Sequence, residues 1–117
     1  MAKILVTGGA GFIGSHVADA YAAAGHEVVI LDNLSTGKKD YVNPAARFIE
    51  ADITNREQVK SILEEVRPEV INHHAAHIQV GYSVENPHFD AQANIFGVLN
   101  LMEAARTLGT VRQVVMA

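Results

Sequence analysis

Short β-branched runs alternate along the chain with longer amphipathic stretches, and a glycine-rich turn joins the first run to the first stretch. This alternation predicts an α/β fold, a doubly wound parallel sheet with right-handed crossovers and helices on both faces. About five strands are expected, in the order 3-2-1-4-5. Lys3-Ile4-Leu5-Val6-Thr7 is almost continuously apolar, as a strand covered on both faces requires. Beyond the turn, Ile13, Val17, Ala20, Tyr21 and Ala24 recur at helical spacing, and Gly25 ends that helix as its C-terminal cap. Glu27 to Leu31 reads as the second strand and Arg47 to Ala51 as a shorter third.

Thr54-Asn55-Arg56-Glu57 reads as a capping box, with the Thr54 hydroxyl and the Glu57 carboxylate satisfying helix-end donors reciprocally. Val59, Ile62, Leu63 and Val66 then form one apolar stripe, ended by Pro68. Val70 to His73 is the fourth strand. Asn86-Pro87 opens a long helix, Asn as cap and Pro at the first helical position. Its apolar residues Phe89, Ile95, Phe96, Leu99, Met102 and Ala105 are expected to pack on the sheet, and Leu108-Gly109 closes it. Val111 to Met116 is the fifth strand, after which the sequence stops at Ala117.

The 117 residues suit one domain, and 49% apolar with 19% charged residues is an ordinary globular balance. A net charge of −4 speaks against nucleic acid as a partner, since phosphate backbones are gripped by clustered Lys and Arg. The absence of cysteine rules out disulfide and thiolate chemistry and suits a reducing cytoplasm. No run approaches the ~20 apolar residues of a membrane span.

Thr7-Gly8-Gly9-Ala10-Gly11-Phe12-Ile13-Gly14 places glycines at 8, 11 and 14, between a strand and a helix. The first permits a tight turn, the second lets the backbone approach a diphosphate, and the third lets the helix pack closely. Unpaired N–H groups and the positive helix end then face the phosphates. Gly9 and Gly14 also have P-loop spacing, but Ser15-His16 stands where Lys-Ser/Thr is needed, so that reading fails. Asp32, 18 positions after Gly14, is the acid expected to accept hydrogen bonds from an adenine ribose. Its charge repels a 2′-phosphate, which favours NAD over NADP. Together these features predict a Rossmann dinucleotide-binding domain over residues 1–117, with NAD as cofactor.

The same residues resemble the extended short-chain dehydrogenases/reductases, and within them the UDP-glucose 4-epimerase-like nucleotide-sugar epimerases. Thr7 to Gly14 is similar to that family's T-G-x-x-G-x-x-G, and Glu69 to Ala76 to its D-x-V-x-H-x-A-A, with Glu in place of Asp. Asp32-Asn33-Leu34-Ser35-Thr36-Gly37 resembles the loop around the adenosine ribose, and Asp52-Ile53 the pair edging the adenine. The resemblance implies a cofactor site of Gly8, Gly11, Phe12, Ile13, Gly14, Asp32, Asn33, Ser35, Thr36, Gly37, Asp52, Ile53, His74, Ala75, Ala76 and Asn94. His74, Ala75 and Ala76 are expected beside the diphosphate and nicotinamide ribose. Asn94 is expected under the fourth and fifth strand ends. Where some relatives carry a basic residue, this chain has His77-Ile78-Gln79.

His73, His74 and His77 invite a metal reading, but strand alternation sends the first two to opposite faces and no carboxylate or Cys completes a set. No metal is expected. The family's chemistry rests on a Ser or Thr and a Tyr-x-x-x-Lys. Here Gly25, Ala45 and Asn86 stand four positions beyond Tyr21, Tyr41 and Tyr82, so no Tyr-x-x-x-Lys occurs. No catalytic residue is assigned. The expectation is an incomplete NAD-binding domain, lacking the catalytic helix and substrate domain, and inactive by itself. A nucleotide-sugar substrate belongs to the full-length parent. The alternatives are a stand-alone NAD-binding sensor, or part of a sibling 4,6-dehydratase or decarboxylase. An unroofed long helix also predicts a homo-oligomer.

Overall fold

A computed structural model describes residues 1–10, 12–33, 40, 42–74, 95 and 97–116. Five strands, β1 (Lys3–Thr7), β2 (Glu27–Asp32), β3 (Arg47–Glu50), β4 (Val70–His73) and β5 (Gln113–Met116), form one sheet in the order β3-β2-β1-β4-β5. All its pairings are parallel, with Thr7 opposite both Leu31 and His73 at the carboxyl end. Helix α1 (Phe12–Ala23) links β1 to β2, α2 (Arg56–Val66) links β3 to β4, and α3 (Gly97–Leu108) precedes β5. Strand order reverses between β1 and β4, because the chain runs outward in one direction through β2 and β3 and in the other through β4 and β5.

Successive strand residues point to opposite faces, so the apolar runs build two cores. Ile4, Val6, Val28, Ile30 and Val70 pack with Ala18 of α1, while Leu5, Val29, Leu31 and Ile71 pack with Val59, Leu63 and Leu101 of α2 and α3. Each fully buried Leu or Ile contributes about 1.5–3 kcal/mol over an exposed one, which is why strands lined on both faces sit at the centre.

The α1 helix ends as its sequence predicts. His26 N–H donates to the Tyr21 carbonyl (3.1 Å) and Gly25 N–H to that of Ala22 (3.0 Å), with Gly25 at φ 88°. Its buried face, however, runs through Gly14, Ser15 and Ala18, while Ile13 is 64% exposed. The apolar spacing through Ile13 and Val17 is offset from the contact face, because small residues let the helix axis approach the sheet.

The start of α2 also differs from expectation. Asn55, not Thr54, is the cap, and its side chain accepts from Gln58 N–H at 3.1 Å. The Thr54 hydroxyl instead donates to Asp52 Oδ1 at 2.7 Å, as does its amide at 2.9 Å. The carboxylate two residues upstream thus captures the Thr and passes the cap to its neighbour. The predicted stripe of Val59, Ile62, Leu63 and Val66 is buried as a unit.

Of the long helix, Gly97–Leu108 is described and its predicted start at Asn86-Pro87 lies outside the described residues, as do Phe89 and Phe96. Gly97, Leu101 and Ala105 face the sheet, and Gly109 (φ 80°) caps the end through the Ala105 carbonyl. Ile95, Leu99 and Met102, expected in the core, are 55%, 55% and 44% exposed. Turning Gly97 and Leu101 inward leaves those residues on the outer side. Strand β3 stops one residue earlier than expected, at Glu50, and β5 begins two later, at Gln113.

Candidate nucleotide-binding site

Parallel strands bring their carboxyl ends to one edge, and a ligand crevice is expected there where strand order reverses. Thr7, Asp32, Glu50 and His73 end their strands on that edge. The glycine turn leaves β1 on it. Gly8 N–H still donates to the Leu31 carbonyl (2.8 Å), and Gly8 then takes φ 72°, a left-handed conformation that turns the chain away.

Gly14 closes the turn by contact. A Cβ there would stand 2.1 Å from the Gly8 carbonyl oxygen, so the opening of α1 lies directly against the first residue of the turn. The first turn of α1, Phe12-Ile13-Gly14-Ser15, carries no carboxylate. Its partial positive charge therefore meets no anion from its own side chains, unlike that of α2, which carries Glu57 in its first turn.

Asp32 ends β2 and is only 7% exposed. Its Oδ2 accepts the Ala10 N–H at 3.0 Å, so the carboxylate reaches the glycine turn across the sheet edge. A bond to an ionised group contributes about 1.5–3 kcal/mol, roughly twice a neutral one. Asn33 follows on the surface.

Asp52 and Ile53 follow β3 and have separate environments. Asp52 is exposed and organises Thr54, whereas the Ile53 side chain is in the core, against Gly97. Asn100 of α3 donates to the Ile53 carbonyl at 2.8 Å and fixes this segment.

His74 lies at the end of β4, its N–H donating to the carbonyl (2.9 Å) and the hydroxyl (3.1 Å) of Thr7. His73 Nδ1 stands 2.7 Å from the same hydroxyl, and both side chains are buried. Burial, and secondarily the charge of His74, holds the His73 imidazole below its ordinary pKa of 6.5. Burial alone lowers that of His74. In both rings burial thus favours the neutral form over the charged one.

Gly8, Ile13, Gly14, Asp32, Asn33, Asp52, Ile53 and His74 are thus placed at or near the carboxyl edge, with Phe12 opening α1. Gly11, Ser35, Thr36, Gly37, Ala75, Ala76 and Asn94 lie outside the described residues. Two links were not foreseen: Asp32 to the Ala10 amide, and Thr7 to His73. The second had a signal, a polar residue closing each of two adjacent apolar strands. The first had none, because it depends on how far the turn folds back over β2. Among the described residues, no three His, Cys, Asp or Glu side chains converge as a metal site would require, and no helix is long and apolar enough to cross a membrane.

These features fit a dinucleotide: a left-handed Gly8 that turns the chain off β1, a helix start seated against that turn at Gly14, a helix opening without its own carboxylate, and a buried acid at the second strand end. The chain is similar to the UDP-glucose 4-epimerase of Mycolicibacterium smegmatis, 47% identical over 118 residues, covering 97% of this chain and 37% of that protein. The crystal structure of a UDP-glucose 4-epimerase from Thermotoga maritima with UDP-glucose superposes with a TM-score of 0.95 at 44% identity, over 97% of this chain and 37% of that one. The corresponding enzyme of Thermus thermophilus in complex with NAD gives 0.89 at 45% identity, over 92% and 35%. The chain spans little more than a third of the length of these relatives. Residues 4–117 match the NAD dependent epimerase/dehydratase family, and this chain belongs to it.

Proposed function

We propose that this chain is the NAD-binding portion of a nucleotide-sugar 4-epimerase of the UDP-glucose/UDP-galactose type. The observation that carries the reading is the buried carboxylate of Asp32 joined to the turn that opens α1. In the proposed complex the adenine ribose hydroxyls donate to Asp32, and the diphosphate faces the amides between Gly8 and Gly14. Asn33, Ser35, Thr36 and Gly37 flank the ribose, and Asp52 and Ile53 edge the adenine. His74, Ala75, Ala76 and Asn94 lie toward the nicotinamide side. Bound NAD supplies a hydride acceptor; the residues of this chain hold and orient it. Residues 1–117 contain no Tyr-x-x-x-Lys, and by themselves are proposed to bind coenzyme without turning over a sugar.

Isothermal titration with NAD and NADP tests the reading. NAD is expected to bind the more tightly, because a 2′-phosphate would meet the Asp32 carboxylate. Equal affinity would remove Asp32 from its role, and no binding of either would remove the function.

The same proposal includes a homo-oligomer in a cytoplasmic setting. Ile95, Leu99 and Met102 recur at helical spacing and are exposed together, which favours a second copy against this side of α3. Leu99→Glu is expected to shift light-scattering mass toward the monomer. A wild-type monomer at high concentration would count against this.

A further inference from the structure

We infer that Asp32 is also a positioning residue for the glycine turn, so that recognition of the ribose and grip on the diphosphate are one mechanical unit. This rests on the coenzyme reading above but has a readout of its own. The ladder between β1 and β2 runs to Gly8 N–H on the Leu31 carbonyl at 2.8 Å. There the main chain turns away, at a φ of 72°, and can add no further rung to β2. The Asp32 side chain continues the ladder instead. Its Oδ2 takes the Ala10 N–H at 3.0 Å, across 22 residues, with Ala10 wholly buried. A buried amide left without an acceptor is costly. The turn is thereby tied to β2 at Ala10 before any ligand arrives, by the same residue that is proposed to select the ribose.

Two substitutions separate the roles. Asp32→Asn keeps a neutral oxygen that can accept from Ala10 but loses the charge offered to ribose hydroxyls. Asp32→Ala loses both. The first measurement is hydrogen exchange at the Ala10 amide in the unligated full chain. Exchange is expected to quicken by about tenfold or more in Asp32→Ala, and far less in Asp32→Asn. The second is binding of the NAD analogue whose adenosine ribose lacks both the 2′- and 3′-hydroxyls, which therefore makes no hydroxyl bond to Asp32. If Asp32 positions the turn, Asp32→Ala weakens this analogue by about tenfold and Asp32→Asn restores it. If Asp32 acts on hydroxyls alone, the analogue binds wild type and Asp32→Ala equally, and the inference is overturned. Should Asp32→Ala not fold, Asp32→Ser, too short to reach Ala10, replaces it in both arms. A wild type that binds no NAD, with the exchange result intact, would sink the coenzyme reading and leave the positioning of the turn standing.

Discussion

Replacing Gly14 by Ala probes the tightest contact in the site. The added methyl carbon would lie 2.1 Å from the Gly8 oxygen, 2.8 Å from the Gly8 carbonyl carbon and 3.2 Å from the Gly9 Cα. Carbon–oxygen contacts are comfortable at about 3.3–3.6 Å, so the turn and the helix must separate by roughly 1 Å or more. Every atom met belongs to backbone, and none is the free end of a side chain. In a helix with room, Gly→Ala would stabilise by about 0.8–1 kcal/mol. Overpacking here costs about 1–3 kcal/mol or more, and a clash with main chain belongs at the upper end. The expected net loss is about 2 kcal/mol. The effect on NAD is larger, because the displaced atoms are the turn itself. A shift of about 1 Å costs on the order of a hundredfold where a site depends on fixed geometry.

Gly25→Ala is the control. Nothing lies within 4 Å of its Cβ position, but its φ of 88° strains any L side chain. It should lose about 1–2 kcal/mol of stability without changing the affinity of the folded protein for NAD. Urea unfolding gives the stabilities, and titration under conditions where both variants are folded gives the affinities. A Gly14→Ala protein that binds NAD as tightly as wild type would refute the reasoning.

Three further outcomes follow from the same contacts. Asn55→Ala should lower stability by about 1 kcal/mol in urea unfolding, and by more than Thr54→Ala; the reverse order would return the cap to Thr54. Leu63→Ala, which empties a fully buried position between α2 and the sheet, should cost about 2–5 kcal/mol, and a loss below 1 would mean that α2 is not packed as described. The folded state holds His73 below its ordinary pKa of 6.5, while the unfolded chain takes up its proton near that value. Stability from the neutral ring is therefore full above pH 6.5 and declines as pH falls toward the lowered folded value. Thermal melts between about pH 8 and 5 should show this decline, and His73→Asn should flatten it; an unchanged slope would place the titrating group elsewhere.

The identity and order of the elements were legible in the sequence because each leaves a pattern within itself. Continuous apolar character marks β1 and β2, a 3.6-residue stripe marks α2 from Val59 to Val66, and glycines mark where the chain must turn or stop. Asp32 could be assigned to the end of β2 by counting from Gly14. Local rules fail where two local partners compete, as Asp52 shows by taking the Thr54 hydroxyl and leaving the cap to Asn55. They also fail where a face is chosen by a neighbour. Spacing alone could not say that α1 rests on Gly14 and Ala18 with Ile13 outside, or that α3 turns Leu101 inward and Leu99 outward. The bonds from Asp32 to Ala10 and from Thr7 to His73 join residues 22 and 66 positions apart. Such pairs exist only once the strands have found their register, because separation along a chain carries no distance in space until the sheet fixes it.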